Sequence, residues 1–145
     1  MEEDLGSFEA LERIVATLRG PDGCPWDREQ THASLKPNLL EECYEVLEAI
    51  DDGDKESLCE ELGDLLMQVM IHTQIASEAG EFEMMDVIRN ISEKLIRRHP
   101  HVFGDVKLGS ANEVVIKWEA LKRDELPPGK SLLSGVPHQM PAVAY

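Results

Sequence analysis

The sequence predicts an all-α protein: a bundle of four to five helices, built on an antiparallel helical hairpin and completed by dimerisation. Three observations lead there. Apolar residues recur at helical spacing in five segments, and no stretch alternates convincingly as a strand would. The two segments richest in carboxylates are joined by Asp51-Asp52-Gly53-Asp54, a short turn of the kind that sets neighbouring helices antiparallel. The second of them carries Leu58, Leu62, Leu65, Leu66, Val69 and Ala76 on one side and Met67, Met70, Ile71 and Ile75 on the other, so it is apolar round most of its circumference. One hairpin and two short helices cannot cover such a surface, which points to a second copy of the chain.

Each element has its own local cause. Ser7 caps a first helix bearing Leu11, Ile14, Val15 and Leu18, and Gly20-Pro21 stops it. Pro21 to Asp27 is dense in turn formers and reads as an ordered loop. A second helix starts between Ser34 and Pro37, proline being tolerated in a first turn, and runs to the Asp-Gly turn. Asp54 caps a third that ends at Gly80. The fourth covers about Met84 to Arg98 and stops before Pro100, because a residue preceding proline is pushed out of the α region. His99 to Asp105 reads as a short loop that can shape a pocket. Ser110 and Glu113 form a capping box for a fifth helix with Val114, Val115, Trp118 and Leu121. The division expected is a domain over residues 1–126 and a proline-rich tail or linker over 127–145.

Composition narrows the function. The 145 residues suit one domain with a single core. A net charge of −15 argues against nucleic acid or an anionic membrane as the main partner. Cys24, Cys43 and Cys59 form no CxxC pair, and two lie inside helical patterns, which suits reduced, packed thiols. With no membrane-length apolar run and no signal-like N-terminus, the expectation is a soluble cytoplasmic protein.

The acids of the hairpin are oddly placed. Glu42 projects into the apolar sector of its own helix and Glu45 lies at the border, whereas Glu41 and Glu48 point outward. Counted from the turn, Glu45 and Glu61 lie at matching heights roughly 12 Å up their helices, and Glu42 and Asp64 at roughly 16 Å. Spacing of i, i+3 keeps each pair on one face. Four carboxylates converging on a half-apolar wall must take up protons or a cation, and an all-oxygen set suits Mg²⁺, or Mn²⁺, rather than zinc. Acids at this spacing also decorate solvated helix faces. A di-iron bundle would want Glu-x-x-His pairs, and here the i+3 positions hold Glu45 and Asp64. Gln68 and His72 continue the polar ribbon of Glu61 and Asp64, where His72 suits a core or interface residue.

Glu41-Glu42-x-x-Glu45, followed by Glu61-x-x-Asp64, resembles the metal motif of the MazG-type nucleoside triphosphate pyrophosphohydrolases, an all-α family. The blocks GCPWDREQTHASL, LLEECYEVLEAI, EELGDLLMQV and EKLIRRHPHVFGD resemble family blocks in the family's order, and SLLSGVPHQMPA resembles the connector of tandem members, so the likeness covers about residues 8 to 142. It implies Mg²⁺-dependent hydrolysis of a nucleoside triphosphate to monophosphate and pyrophosphate. By resemblance Glu42, Glu45, Glu61 and Asp64 hold the metal, and Glu41 orients or deprotonates the attacking water, with Glu42 beside it in the catalytic set. Lys94, Arg97 and Arg98, at i, i+3 and i+4, can converge on a polyphosphate or serve only the helix dipole. Trp26 and Trp118 can stack on a base or anchor packing, and Lys122 can reach a phosphate or water. Two expectations stand: an active housekeeping hydrolase working as a homodimer or higher homo-oligomer, or a catalytically weak dimerisation or regulatory copy of a tandem protein.

Overall fold

The computed structural model describes residues 4–126. Among them are seven helices and no strand: α1 (Phe8–Leu18), α2 (Pro25–Glu29), α3 (Lys36–Asp52), α4 (Lys55–Glu78), α5 (Met84–Arg98), α6 (Pro100–Phe103) and α7 (Ala111–Glu125). The all-α expectation is met. The chain falls into two compact units, divided within α5 between Ile88 and Arg89. The tail read over residues 127–145 lies outside the described residues.

In the first unit the caps form as the sequence predicts. Ser7 accepts the Ala10 N–H at 3.2 Å, and Asp54 accepts those of Glu56 and Ser57 at 3.1 and 3.2 Å. Between α3 and α4, Gly53 takes φ +66°, a left-handed conformation that closes the hairpin turn without steric cost. The segment after α1 differs from expectation: residues read as loop contain the single turn α2. Pro25, already fixed near helical φ, opens it.

This segment is tied down throughout. The Cys24 N–H donates to Leu18 O at 2.8 Å, and Gly23 lies so close to the carbonyls of Thr17 and Leu18 that a Cβ would overlap both. The guanidinium of Arg19, almost wholly buried, pairs in a fork with Glu78 at 2.9 and 3.1 Å and donates to the carbonyls of Asp27 and Gln30 at 2.6 and 3.0 Å. Next, Thr31 and Ser34 cap each other reciprocally, each backbone N–H donating to the other's hydroxyl at 2.8 and 3.1 Å.

The core of this unit is Val15, Leu35, Met70, Ile71 and Met84, with Leu11, Met67, Ile75 and Val87 against it. Burying each of the larger side chains is worth roughly 1.5–3 kcal/mol, so this cluster fixes α1 on the second half of α4. It lies on the Met67–Ile75 flank of α4. The expected stripe is half open instead: Leu62, Leu66 and Val69 are exposed, as are Leu39, Leu40, Leu47 and Ile50 on α3, where Val46 and Ala49 alone are buried. The reason is supply, since besides α3 only the short α1 and the first turn of α5 pack on α4 in this unit. Cys43 and Cys59 are exposed for the same reason, so the packed thiols expected there are not packed.

In the second unit, Ser110 caps α7 by accepting the Glu113 N–H at 3.3 Å, but the Glu113 carboxylate accepts from Gly109 N–H rather than closing the box on Ser110. The expected His-Pro loop holds the one-turn α6, again opened by proline at Pro100. Glu125 accepts from both Arg97 and Arg98 at 2.7 and 2.6 Å. Those guanidiniums hold its carboxyl far down, to about 2.

Gly23→Ala should cost roughly 1–3 kcal/mol, because the clash is with helix carbonyls that cannot move aside. Thermal unfolding checks this: the melting temperature should fall by several degrees, and an unchanged value would show that the α1–α2 connection can yield.

Candidate metal centre

The hairpin brings Glu42 and Glu45 of α3 to Glu61 and Asp64 of α4, as their heights from the turn predict. One oxygen from each lies within 4.8 Å of the others. Glu42, Glu45 and Glu61 are partly buried and Asp64 is exposed. Glu42 Oε2 and Glu61 Oε2 are buried with no hydrogen-bond partner, and no cationic side chain pairs with any of the four among the described residues. A buried carboxylate oxygen with nothing to accept from is costly, which is why such groups bind a proton or an ion. A cavity of about 340 Å³, lined by Glu45, Glu48, Asp52, Ser57 and Glu61, opens on the turn side and has room for roughly ten waters.

The electrostatics follow from this crowding. The Glu42 carboxyl is pushed above its usual range, first by desolvation and then by the charges of Glu45 and Asp64. That of Glu61 rises to about 7, first because it can share a proton with Glu45, then through desolvation and the charges of Glu45, Asp64 and Glu42. Protons here take the place a cation would fill. An all-carboxylate set of this kind fits a hard divalent ion.

The other sequence-derived residues are placed less tightly. Glu41 is exposed on α3 and is not one of the converging four. Trp26 projects from α2, more than half exposed. In the second unit Arg97 and Arg98 are engaged by Glu125, while Lys94 is exposed and forms no ion pair among the described residues. Trp118 packs edge-on against His99, ring centres 4.9 Å apart, with the Arg98 guanidinium 5.3 Å over its ring, and Lys122 is half-buried one turn on. Sequence reasoning missed Glu125, which no local spacing links to arginines 27 and 28 residues away. It also missed His32, whose Nδ1 lies 2.8 Å from that of His72.

The family model of the MazG nucleotide pyrophosphohydrolase domain matches residues 30–103, which contain all four carboxylates. The chain belongs to that family. It is 56% identical over 118 residues to the nucleoside triphosphate pyrophosphohydrolase/pyrophosphatase MazG of Thermotoga maritima, covering 81% of this chain and 45% of that protein. To the uncharacterized protein YabN of Bacillus subtilis it is 51% identical over 138 residues, covering 94% of this chain and 28% of that one. A crystal structure of a MazG-related protein from Thermotoga maritima superposes with a TM-score of 0.65 at 29% identity, covering 79% of this chain and 98% of the other. The chain thus spans about a quarter to a half of the length of these two curated relatives.

Because the folded carboxyls of Glu42 and Glu61 sit above their unfolded values, the metal-free domain holds extra protons on folding and loses that stability as pH rises from about 4.5 through about 7. A divalent ion held by these carboxylates would compete with those protons, so stabilisation by added Mg²⁺ should grow over the same interval. Melting temperatures at pH 5 and pH 8, with and without Mg²⁺, check this: a saturable rise is expected at pH 8 and little at pH 5, and equal shifts at both would contradict it.

Proposed function

We propose that this MazG domain hydrolyses nucleoside triphosphates to the monophosphate and pyrophosphate with Mg²⁺, as a housekeeping enzyme of the cytoplasmic nucleotide pool. The observation that carries the reading is the convergence of Glu42, Glu45, Glu61 and Asp64 with two buried oxygens left unpartnered. These four would hold the metal. When bound, the ion supplies charge neutralisation at phosphate oxygens and a water made more acidic. Cleavage between the α and β phosphates needs positioning and electrostatic stabilisation more than covalent chemistry. Glu41, exposed beside the quartet in sequence, is assigned to orient or deprotonate the attacking water. Lys94, Arg97 and Arg98 are assigned to the polyphosphate, with Glu125 as the carboxylate that balances the two arginines until substrate replaces it. Trp118, Trp26 and Lys122 are assigned to nucleotide contacts.

The same reading includes a homo-oligomer, at least a dimer. Its support is the exposed row Leu62, Leu66 and Val69 on α4, with Leu39, Leu47 and Ile50 also exposed on α3, apolar side chains that a second copy would cover. No helix among the described residues is long and apolar enough to cross a membrane.

Pyrophosphate release from a panel of triphosphates with Mg²⁺ tests the reaction. Glu42→Gln should lower kcat/KM by about 100-fold or more, the loss expected when an ion worth several kcal/mol to the transition state is poorly held. No release, or release indifferent to Glu42→Gln, would refute the assignment. Light scattering should give at least twice the chain mass of 16.3 kDa, and Leu66→Asp should shift it toward the single-chain value; a monomeric parent would remove the oligomer.

A further inference from the structure

Residues 89–145 carry nine Lys or Arg and six Asp or Glu, so the strong acidity of the chain stops at the second unit. There Arg97 and Arg98 close α5 side by side. Consecutive residues on a helix point about 100° apart and two guanidiniums repel, so neighbours of this kind diverge when left bare. These two converge instead. Arg97 Nε donates to Glu125 Oε1 at 2.7 Å, and Arg98 donates to Oε2 from Nε at 3.0 Å and from Nη2 at 2.6 Å. Three N–H groups on two oxygens of one anion is also the way guanidiniums take a phosphate.

The seat has backing of its own. The Arg98 side chain is only 15% exposed, and its guanidinium lies 5.3 Å over the Trp118 ring, so its direction does not depend on Glu125 alone. Lys94, one turn earlier on α5, is exposed and forms no ion pair among the described residues. Glu125 is the less settled member. It is the last residue of α7, where the helix dipole disfavours an anion, whereas Arg97 and Arg98 end α5, where the dipole favours cations. Leu126 after it is already extended, so the last turn of α7 can fray without disturbing Trp118 two turns back. With its carboxyl held down to about 2, Glu125 stays charged at neutral pH, and the contact opens to a competing anion rather than to a proton.

We infer that Glu125 is an autoinhibitory residue: its carboxylate fills the anion seat of Arg97 and Arg98, and a phosphate group enters by displacing it. This rests on the assignment of those arginines to the polyphosphate. A competitor tethered in the seat raises the apparent dissociation constant by the reciprocal of the fraction of time the seat stands open. The factor is the same for an arriving substrate and for a departing pyrophosphate, so the contact also limits retention of product.

Calorimetry with pyrophosphate tests this on the full chain, in a chelating buffer of fixed ionic strength so that no ion at the quartet recruits the ligand. Glu125→Gln keeps the shape and removes the charge, and it should tighten pyrophosphate about 10-fold over the parent. Asp124→Asn removes the same charge one residue earlier, from an exposed side chain with no ion pair, and should stay within about twofold. Adding Arg98→Gln to Glu125→Gln should abolish the gain. Equal tightening by the two single variants would reduce the effect to net charge and overturn the inference. So would an unchanged or weaker affinity in Glu125→Gln, which would make the pair a fastening between α5 and α7. If Glu125→Gln does not fold, Glu125→Asp, one methylene short of bridging both arginines, decides in its place: its affinity must rise, and an unchanged value overturns the inference. Pyrophosphate binding by none of these proteins would remove the seat itself. Binding that responds as expected, without pyrophosphate release from a triphosphate, would overturn the proposed reaction alone.

Discussion

Too many negative oxygens for the water that reaches them: that is the constraint on which the rest of the hairpin depends. Glu42, Glu45, Glu61 and Asp64 repel one another when charged, and two of their oxygens are cut off from solvent and from any donor. The arrangement persists because it is imposed from outside the cluster. The Asp-Gly turn closes with Gly53 in the left-handed region, which fixes the register of α3 against α4. Since each residue turns a helix by about 100°, sliding one helix by a single position would scatter the carboxylates over different faces. The tension is therefore a property of the fold, and the raised carboxyl of Glu61 is one consequence of it.

A second constraint acts at the far end of α4. Arg19 is buried, and its fork to Glu78 together with two loop carbonyls satisfies it. Through that side chain the end of α1, the loop holding α2 and the last turn of α4 are joined. The loop leads to His32 by way of these bonds and the Thr31–Ser34 turn, and there the His32 ring stacks parallel on that of His72. Gly23 belongs to the same fastening, lying where only a residue without a Cβ can rest on the carbonyls of Thr17 and Leu18.

What the sequence made legible divides along the same line. Five of the seven helices follow from apolar periodicity and caps, and Ser7, Asp54 and Ser110 act as their residue types predict. The quartet was legible because two i, i+3 pairs equidistant from a turn need only helix geometry to meet. The one-turn helices α2 and α6 were not, because a single turn is too short to show a period and proline at its head also signals a loop. Periodicity also did not say which flank of α4 would be covered within the unit. With apolar residues on most of its circumference, the pattern says that α4 is covered on several sides but not which side α1 takes. The pairing of Arg97 and Arg98 with Glu125, and of His32 with His72, joins residues far apart in sequence, and a single chain carries no local signal for such contacts.

Burial is unevenly shared along α4, and that bears on how the centre is kept rigid. The buried residues begin at Gln68 and continue to Ala76, the half pinned by α1, whereas Glu61 and Asp64 lie in the half before it. Opposite them α3 contributes only Val46 and Ala49 to the buried set. The carboxylate-bearing end of the hairpin is thus the part with least cover from its own unit, and the end that suffers most repulsion. Leu62 and Leu66, exposed, are interleaved with Glu61 and Asp64 on the same turns of helix. On the proposed homo-oligomer, a second copy laid on those leucines would stiffen the turns that carry the carboxylates, so assembly and ion binding would favour one another through the same two turns of α4.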